Sequence, residues 1–227
     1  LVFSEFSQGS LTRYRMSRSL AGPWLAPEDD VFDGRAYYAA KTASDGERRY
    51  VFGWNPTRHG ETDSGNWQWG GNLVVHELAQ RADGTLSVRP PQSVLRAFGA
   101  PRPVPLRPGL GDCRIADGAA ELSAPGSFAC AVAGPLPERC RLTATVEHVL
   151  GTRGCGLALR MSDDLEEGYY IRLEPGRGRL VLDRWPRPGD IPHMVELERP
   201  LALPPGRLLE LEVLLDGTVC EVYVGGE

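Results

Sequence analysis

Short runs in which apolar and polar residues alternate dominate this chain, and Asp-Gly pairs punctuate them. Arg141-Leu142-Thr143-Ala144-Thr145-Val146-Glu147 alternates, as do Val195-Glu196-Leu197-Glu198 and Leu209-Glu210-Leu211-Glu212-Val213. A period of two puts alternate side chains on opposite faces of an extended strand, and no long stretch keeps the helical period instead. Asp-Gly stands at 45, 83, 117 and 216, each time between two strand-like runs. Both residue types tolerate the positive φ angles of tight hairpin turns, so each pair predicts a reversal of direction. The 27 glycines and 19 prolines suit short strands joined by turns. The expectation is an all-β chain.

Composition excludes several roles. Hydrophobic residues make up 41% and charged residues 24%, enough for a packed core and against a disordered default. The net charge is −5, which argues against nucleic acid or an anionic membrane as the main partner. No apolar run approaches the ~18 residues of a membrane-spanning helix. Lys41 is the sole lysine, a bias of composition. The cysteines, 113, 130, 140, 155 and 220, are odd in number and lack Cys-x-x-Cys spacing. They read as reduced, buried small hydrophobes, a disulfide pair staying open. No cofactor and no metal site is expected.

Residues 96–112 carry prolines 101, 103, 105 and 108, which cannot donate to a β-ladder, and read as an extended linker. Before it, residues 1–95 hold four of the five tryptophans and about six strand-like runs. After it, residues 113–227 hold every cysteine and about eight or more runs at the spacing of a two-sheet sandwich. Six strands are too few to close a barrel or propeller, so the first segment is expected to depend on docking for its stability. The chain starts at Leu1 within a strand-like run and reads as a piece of something larger.

Several phrases then resemble one family. Phe32-Asp33-Gly34-Arg35-Ala36-Tyr37-Tyr38-Ala39-Ala40-Lys41-Thr42 followed by Arg48-Arg49-Tyr50-Val51-Phe52-Gly53-Trp54 resembles a segment of glycoside hydrolase family 32. That family comprises invertases, fructanases and inulinases. Trp69-Gly70-Gly71-Asn72-Leu73-Val74-Val75-His76-Glu77-Leu78 is similar to its last propeller strand, with Val-His-Glu where Pro-Arg-Glu is usual. Asp83-Gly84-Thr85-Leu86 with Pro90-Pro91 resembles the exit from the propeller. Gly22-Pro23-Trp24 and the late strand Asp216-Gly217-Thr218-Val219-Cys220-Glu221-Val222-Tyr223-Val224 also match in order. The resemblance implies the C-terminal end of a five-bladed β-propeller over 1–95, the linker at 96–112, and a concanavalin-like two-sheet β-sandwich over 113–227.

It also implies a division of labour. A retaining glycosidase needs two carboxyl groups ~5 Å apart. The family carries its nucleophile in Asn-Asp-Pro-Asn, its acid/base in Glu-Cys and a supporting acid in Arg-Asp-Pro. None of these phrases occurs in the 227 residues. The resemblance therefore implies a parent that hydrolyses β-fructosides such as sucrose, levan or inulin with retention. The present chain is expected to have no catalytic residue and no activity alone. What carries over is the pocket wall: Asp33, Tyr38 and Trp54 as substrate-binding residues. An aromatic face suits the C–H side of a sugar, and a carboxylate suits paired hydroxyls. Tyr37 and Tyr38 point to opposite faces of a strand, and the family match favours Tyr38 as the residue lining the pocket. Carbohydrate is the implied partner, self-association stays open, and both a cytoplasmic and a secreted location fit.

Other candidates weigh less. Residues 57–69 read as a polar loop in which Trp67 or Trp69 stacks on sugar. The acidic run at 163–167 reads as a solvated hairpin turn. His148 continues the Leu142-Ala144-Val146 face as a hydrogen-bonded core histidine. His76 is read as structural, and Lys41 and Arg49 as strand support. A rival function from another class is non-catalytic carbohydrate binding by the sandwich, through Arg172, Glu174, Asp183, Arg184 and Trp185.

Overall fold

The computed structural model describes residues 1–7, 9–185 and 197–227. The chain is all-β. Its strands in order are β1 Val2–Glu5, β2 Leu11–Tyr14, β3 Tyr38–Ser44, β4 Arg49–Arg58, β5 Trp67–Gln80, β6 Leu86–Arg89, β7 Leu106–Pro108, β8 Asp112–Ala116 and β9 Ala119–Ser123. They continue as β10 Ala131–Ala133, β11 Arg139–Val146, β12 Cys155–Leu159, β13 Gly168–Glu174, β14 Arg179–Trp185, β15 Leu197–Pro200, β16 Leu209–Asp216 and β17 Val219–Val224. The alternation at 195–198 falls partly outside the described residues; its described end opens β15.

All four Asp-Gly pairs fall at reversals between sequential strands, β3–β4, β5–β6, β8–β9 and β16–β17, Asp216 of the last closing β16 with Gly217 opening the turn. At the third, Asp117 and Gly118 both take positive φ, 50° and 75°, and Ala116 faces Ala119 directly across the turn. This is the geometry a two-residue hairpin demands. The acidic run between β12 and β13 is also a turn. Ser162 and Asp164 accept the backbone N–H of Glu166 at 3.1 Å each, and Ser162 also accepts that of Glu167 at 2.9 Å.

The chain divides by contacts into two compact units. One comprises Leu1–Gln92, Thr143–Val213 and Val222–Glu227; the other comprises Ser93–Leu142 and Leu214–Glu221. The second contains the pairs β8–β9 and β7–β10. Leu106–Pro108 within the proline-rich stretch thus pairs with Ala131–Ala133.

The first unit contains the antiparallel sheets β3-β4-β5-β6 and β12-β13-β14-β15, with the β1–β2 hairpin. A third sheet runs in the order β11-β16-β17. Leu173, Leu203, Leu209 and Leu211 form a buried cluster, with Val146, Leu157, Leu180, Leu201, Val224 and Cys155 packed on it. Every cysteine is half-buried rather than fully buried, and burial pushes the Cys155 thiol up. His148 is buried, its Nδ1 3.2 Å from the Val149 carbonyl, and its own carbonyl accepts Gly206 N–H at 2.9 Å.

The β3–β6 sheet is built around Tyr37, whose ring is buried and whose hydroxyl donates to the Val51 carbonyl at 3.1 Å. Gly53 on β4 makes room for that ring. A Cβ at position 53 would lie 2.5 Å from Tyr37 Cζ. One step along the chain, Tyr38 pairs with Trp54, and a bulge follows between Tyr38 and Lys41, with Ala39 at φ 55°. Such a bulge adds an unpaired residue and re-aims the side chains on either side of it. Tyr14 stacks on Phe32 at 5.0 Å, and its hydroxyl accepts Leu86 N–H at 3.1 Å, tying the first hairpin to β6.

The Gly53 contact makes a direct prediction. Gly53→Ala pushes against a ring fixed on backbone carbonyls, and overpacking of this kind costs about 1–3 kcal/mol. Urea unfolding followed by tryptophan fluorescence should show that loss, with the slope unchanged.

Candidate functional site

Strand pairing creates an aromatic face. Residues directly opposite in a ladder share a face, and β4 lies between β3 and β5. Tyr38 faces Trp54, and Trp54 faces Leu73. The rings of Tyr38 and Trp54 stand edge-on at 5.6 Å between centroids, Tyr38 and Trp69 at 5.6 Å, and Trp54 and Trp69 at 5.3 Å. Phe6 adds a fourth ring, 6.3 Å from Tyr38. These edge-to-face spacings are the ones aromatic quadrupoles prefer. Trp69 is 75% exposed, Phe6 69% and Leu73 69%, while Tyr38 and Trp54 are half-buried among them, so the cluster is a partly open apolar surface and not a core. Exposed patches of this kind mark binding sites.

Asp33 is engaged elsewhere. Its Oδ1 accepts Gly34 N–H at 2.6 Å, and its Oδ2 lies 3.2 Å from His76 Nε2. His76 is buried, and its Nδ1 lies 2.7 Å from the Tyr223 hydroxyl. An ionised carboxylate only accepts, so Nε2 carries a proton and, in the neutral ring, Tyr223 donates to Nδ1. Burial pushes the Asp33 carboxyl up. The His76 hydrogen bond and charge, the Gly34 N–H and the Arg199 charge outweigh it and hold the carboxyl below its ordinary value. The ring of Tyr37 lies 5.1 Å from that of His76, so the core tyrosine and the chain of hydrogen bonds pack together. Sequence reasoning placed His76 as structural but gave no sign of Tyr223 as its partner, 147 residues away.

The structure therefore brings Tyr38 and Trp54 together, adds Trp69, Phe6 and Leu73, and turns Asp33 toward His76. Residues 57–69 are less of a loop than expected. Strand β4 runs through Arg58, β5 starts at Trp67, and the two residues pair. The physical reason is that the hairpin ladder continues to the tip, where His59 N–H donates to the Asn66 carbonyl at 2.9 Å. Arg49 donates to Thr42 Oγ1 at 3.2 Å, and Lys41 is exposed.

The rival constellation is divided by strand parity. Arg172 donates to Glu174 at 2.9 Å and to Asp183 at 3.1 Å, and Arg179 donates to Glu174 at 2.7 Å. Glu174 and Asp183 are both buried, so their carboxylates are committed to this network. Arg184 falls on the opposite face, paired with Tyr169.

Two tests follow from the bridge. His76→Phe leaves a hydroxyl and a carboxylate without their ring partner, at a cost of about 1–3 kcal/mol in chemical denaturation. Because the folded Asp33 carboxyl is held below its ordinary value of 3.8, its contribution is present above that pH and lost as pH falls through the lowered value. Unfolding midpoints measured from pH 5 downward should fall less steeply in Asp33→Asn than in the parent sequence.

No family model matches the sequence, and no curated protein does. Among solved structures, the chain is similar to exo-inulinase from Aspergillus awamori, with a TM-score of 0.61 at 17% identity over 96% of this chain and 43% of that one. It is also similar to sucrose-6-phosphate hydrolase from Lactobacillus gasseri, with a TM-score of 0.57 at 14% identity over 96% of this chain and 41% of that one. The chain spans about two fifths of the length of either structure. At these identities the likeness is one of fold, and it is consistent with the C-terminal part of a family-32 glycoside hydrolase.

Proposed function

We propose that this chain is the C-terminal part of a glycoside hydrolase that acts on β-fructosides such as sucrose, levan or inulin with retention, and that it supplies a wall of the sugar-binding pocket. The observation that carries the reading is the open aromatic face of Tyr38, Trp54 and Trp69, with centroids 5.3–5.6 Å apart. Such a face offers π-surface to the C–H side of a furanose ring. Asp33, anchored by His76 and Gly34 yet with its side chain 35% exposed, keeps acceptor capacity for sugar hydroxyls. The likeness in fold to two β-fructoside-directed hydrolases supports the same reading. The two-carboxylate chemistry of a retaining glycosidase belongs to sequence phrases that these 227 residues do not contain. In this reading residues 1–95 end a propeller, residues 96–112 link, and residues 113–227 form the sandwich. The chain alone binds sugar and does not cleave it.

Incubation of the purified chain with sucrose, inulin and levan, with released sugar assayed and binding followed by calorimetry, tests both halves. The expected result is binding without release. Tyr38→Ala and Trp54→Ala should each weaken binding about 3- to 10-fold, the scale of one aromatic contact. Sugar release by the chain alone overturns the division of labour. Binding that ignores both substitutions moves the sugar to the sandwich.

A further inference from the structure

The line of hydrogen bonds through His76 has a working end, and exposure says which. Asp33 keeps 35% of its side chain exposed, whereas His76 is 3% and Tyr223 2% exposed. A hydroxyl, an imidazole and a carboxylate bonded in that sequence activate a nucleophile when the hydroxyl is the end that meets substrate. Here the order is turned around: the hydroxyl is sealed in the core and the carboxylate reaches the surface. All three residues belong to one compact unit. The imidazole also packs against two aromatic rings, that of Tyr37 at 5.1 Å and that of Tyr223, edge-on, at 5.8 Å.

The direction of the protons decides what reaches Asp33. Nε2 lies 3.2 Å from Asp33 Oδ2, and Nδ1 lies 2.7 Å from the Tyr223 hydroxyl. A singly protonated imidazole has one N–H, so a hydroxyl that donates to Nδ1 leaves the proton on Nε2, where it meets the carboxylate. A hydroxyl that accepted from Nδ1 would need either a bare Nε2 facing the carboxylate or a second cation in the core. The first sets two acceptors against each other. The second is disfavoured by burial and by the Arg199 guanidinium, which donates to the Asp33 carbonyl at 3.3 Å. With Nε2–H on Oδ2 and the Gly34 N–H on Oδ1 at 2.6 Å, each oxygen of Asp33 is held by an internal donor and keeps a lone pair for an outside one.

We propose that Tyr223 is a positioning residue for the sugar site: by donating to His76 it fixes the ring proton on Nε2 and so aims the Asp33 carboxylate at the hydroxyls of a bound fructoside. A side chain of the last strand thereby sets the acceptor geometry in the segment that leads into β3, and its own hydroxyl never touches the sugar. The gain is preorganisation, because a carboxylate already in place has no rotamer freedom left to lose on binding. Without the Tyr223 hydroxyl the ring carries its proton on either nitrogen, and the form with a bare Nε2 repels the carboxylate. That the carboxylate receives a sugar rests on the reading of the aromatic face as a sugar wall; that Tyr223 sets the direction of the line does not.

Nitrogen NMR of the chain labelled at its histidines tests the direction without any sugar, contacts to the rings of Tyr37 and Tyr223 identifying the His76 resonances. The expected result is a proton on Nε2 and a bare Nδ1 in the parent sequence, and a ring no longer held in that one form in Tyr223→Phe. A proton on Nδ1 in the parent sequence, or a ring unchanged by Tyr223→Phe, overturns the proposal. Calorimetric titration with sucrose then tests the aim. Tyr223→Phe should weaken binding about 3- to 10-fold, the scale of one side chain left to be ordered by the ligand. In an Asp33→Ala background, where no carboxylate is left to aim, the same change should cost less than about twofold. Equal losses in the two backgrounds mean a general effect on the fold and overturn the positioning role. No sucrose binding by the parent sequence, with the NMR result as expected, overturns the sugar wall and leaves the direction of the line standing.

Discussion

The hydrogen-bonded line from Asp33 through His76 to Tyr223 is the constraint on which the placement of the rest depends. It starts in the segment leading into β3, passes through the third strand of the four-stranded sheet, and ends on the last strand of the chain. A short open sheet is marginal in water, with an unpaired edge and a face to cover. Here the sheet gains cover within its own unit. Arg199 on β15 donates to the carbonyls of Val31 at 2.9 Å and Asp33 at 3.3 Å, and to the Asp29 carboxylate at 2.9 Å. Arg81 pairs with Glu227 at the far end of the chain. Side chains from the last thirty residues therefore fix the segment that carries Asp33, and so fix the strand that follows it.

Much of the local structure was legible in the sequence because it is set by near neighbours. The Asp-Gly turns are conformational necessities of two- to four-residue reversals, and all four appear. The opposition of Tyr37 and Tyr38 follows from strand parity alone: Tyr37 fills the core against Gly53, and Tyr38 joins the open aromatic face. What stayed hidden is what depends on distant pairing. Nothing near position 76 signals that its ring meets Tyr223, because two buried polar groups 147 residues apart carry no shared period or spacing. The bulge at Ala39 was equally silent, since alanine has no special liking for positive φ. The polar loop expected at 57–69 is shorter than read, 59–66, because the hairpin pairing extends through Arg58 and Trp67 on either side of it.

The candidate sites use this scaffold in complementary ways. The aromatic face is a product of register: three strands bring Tyr38, Trp54 and Leu73 into one row, and Trp69 turns onto it. The salt-bridged face of β13 and β14 has a different character. There Arg172, Arg179, Glu174 and Asp183 satisfy one another, and committed charges of this kind hold strands together instead of waiting for a ligand. The contrast between open rings on one sheet and closed charges on another is why the sugar reading settles on the β3–β6 sheet.

A crystal structure of the chain grown with a short inulin-type oligosaccharide would test that reading most directly. The account predicts a fructosyl ring with its C–H face over Tyr38, Trp54 or Trp69, and a ring hydroxyl within hydrogen-bonding distance of the Asp33 carboxylate. A sugar seated on the salt-bridged face of β13 and β14, with the aromatic rings left bare, would contradict it.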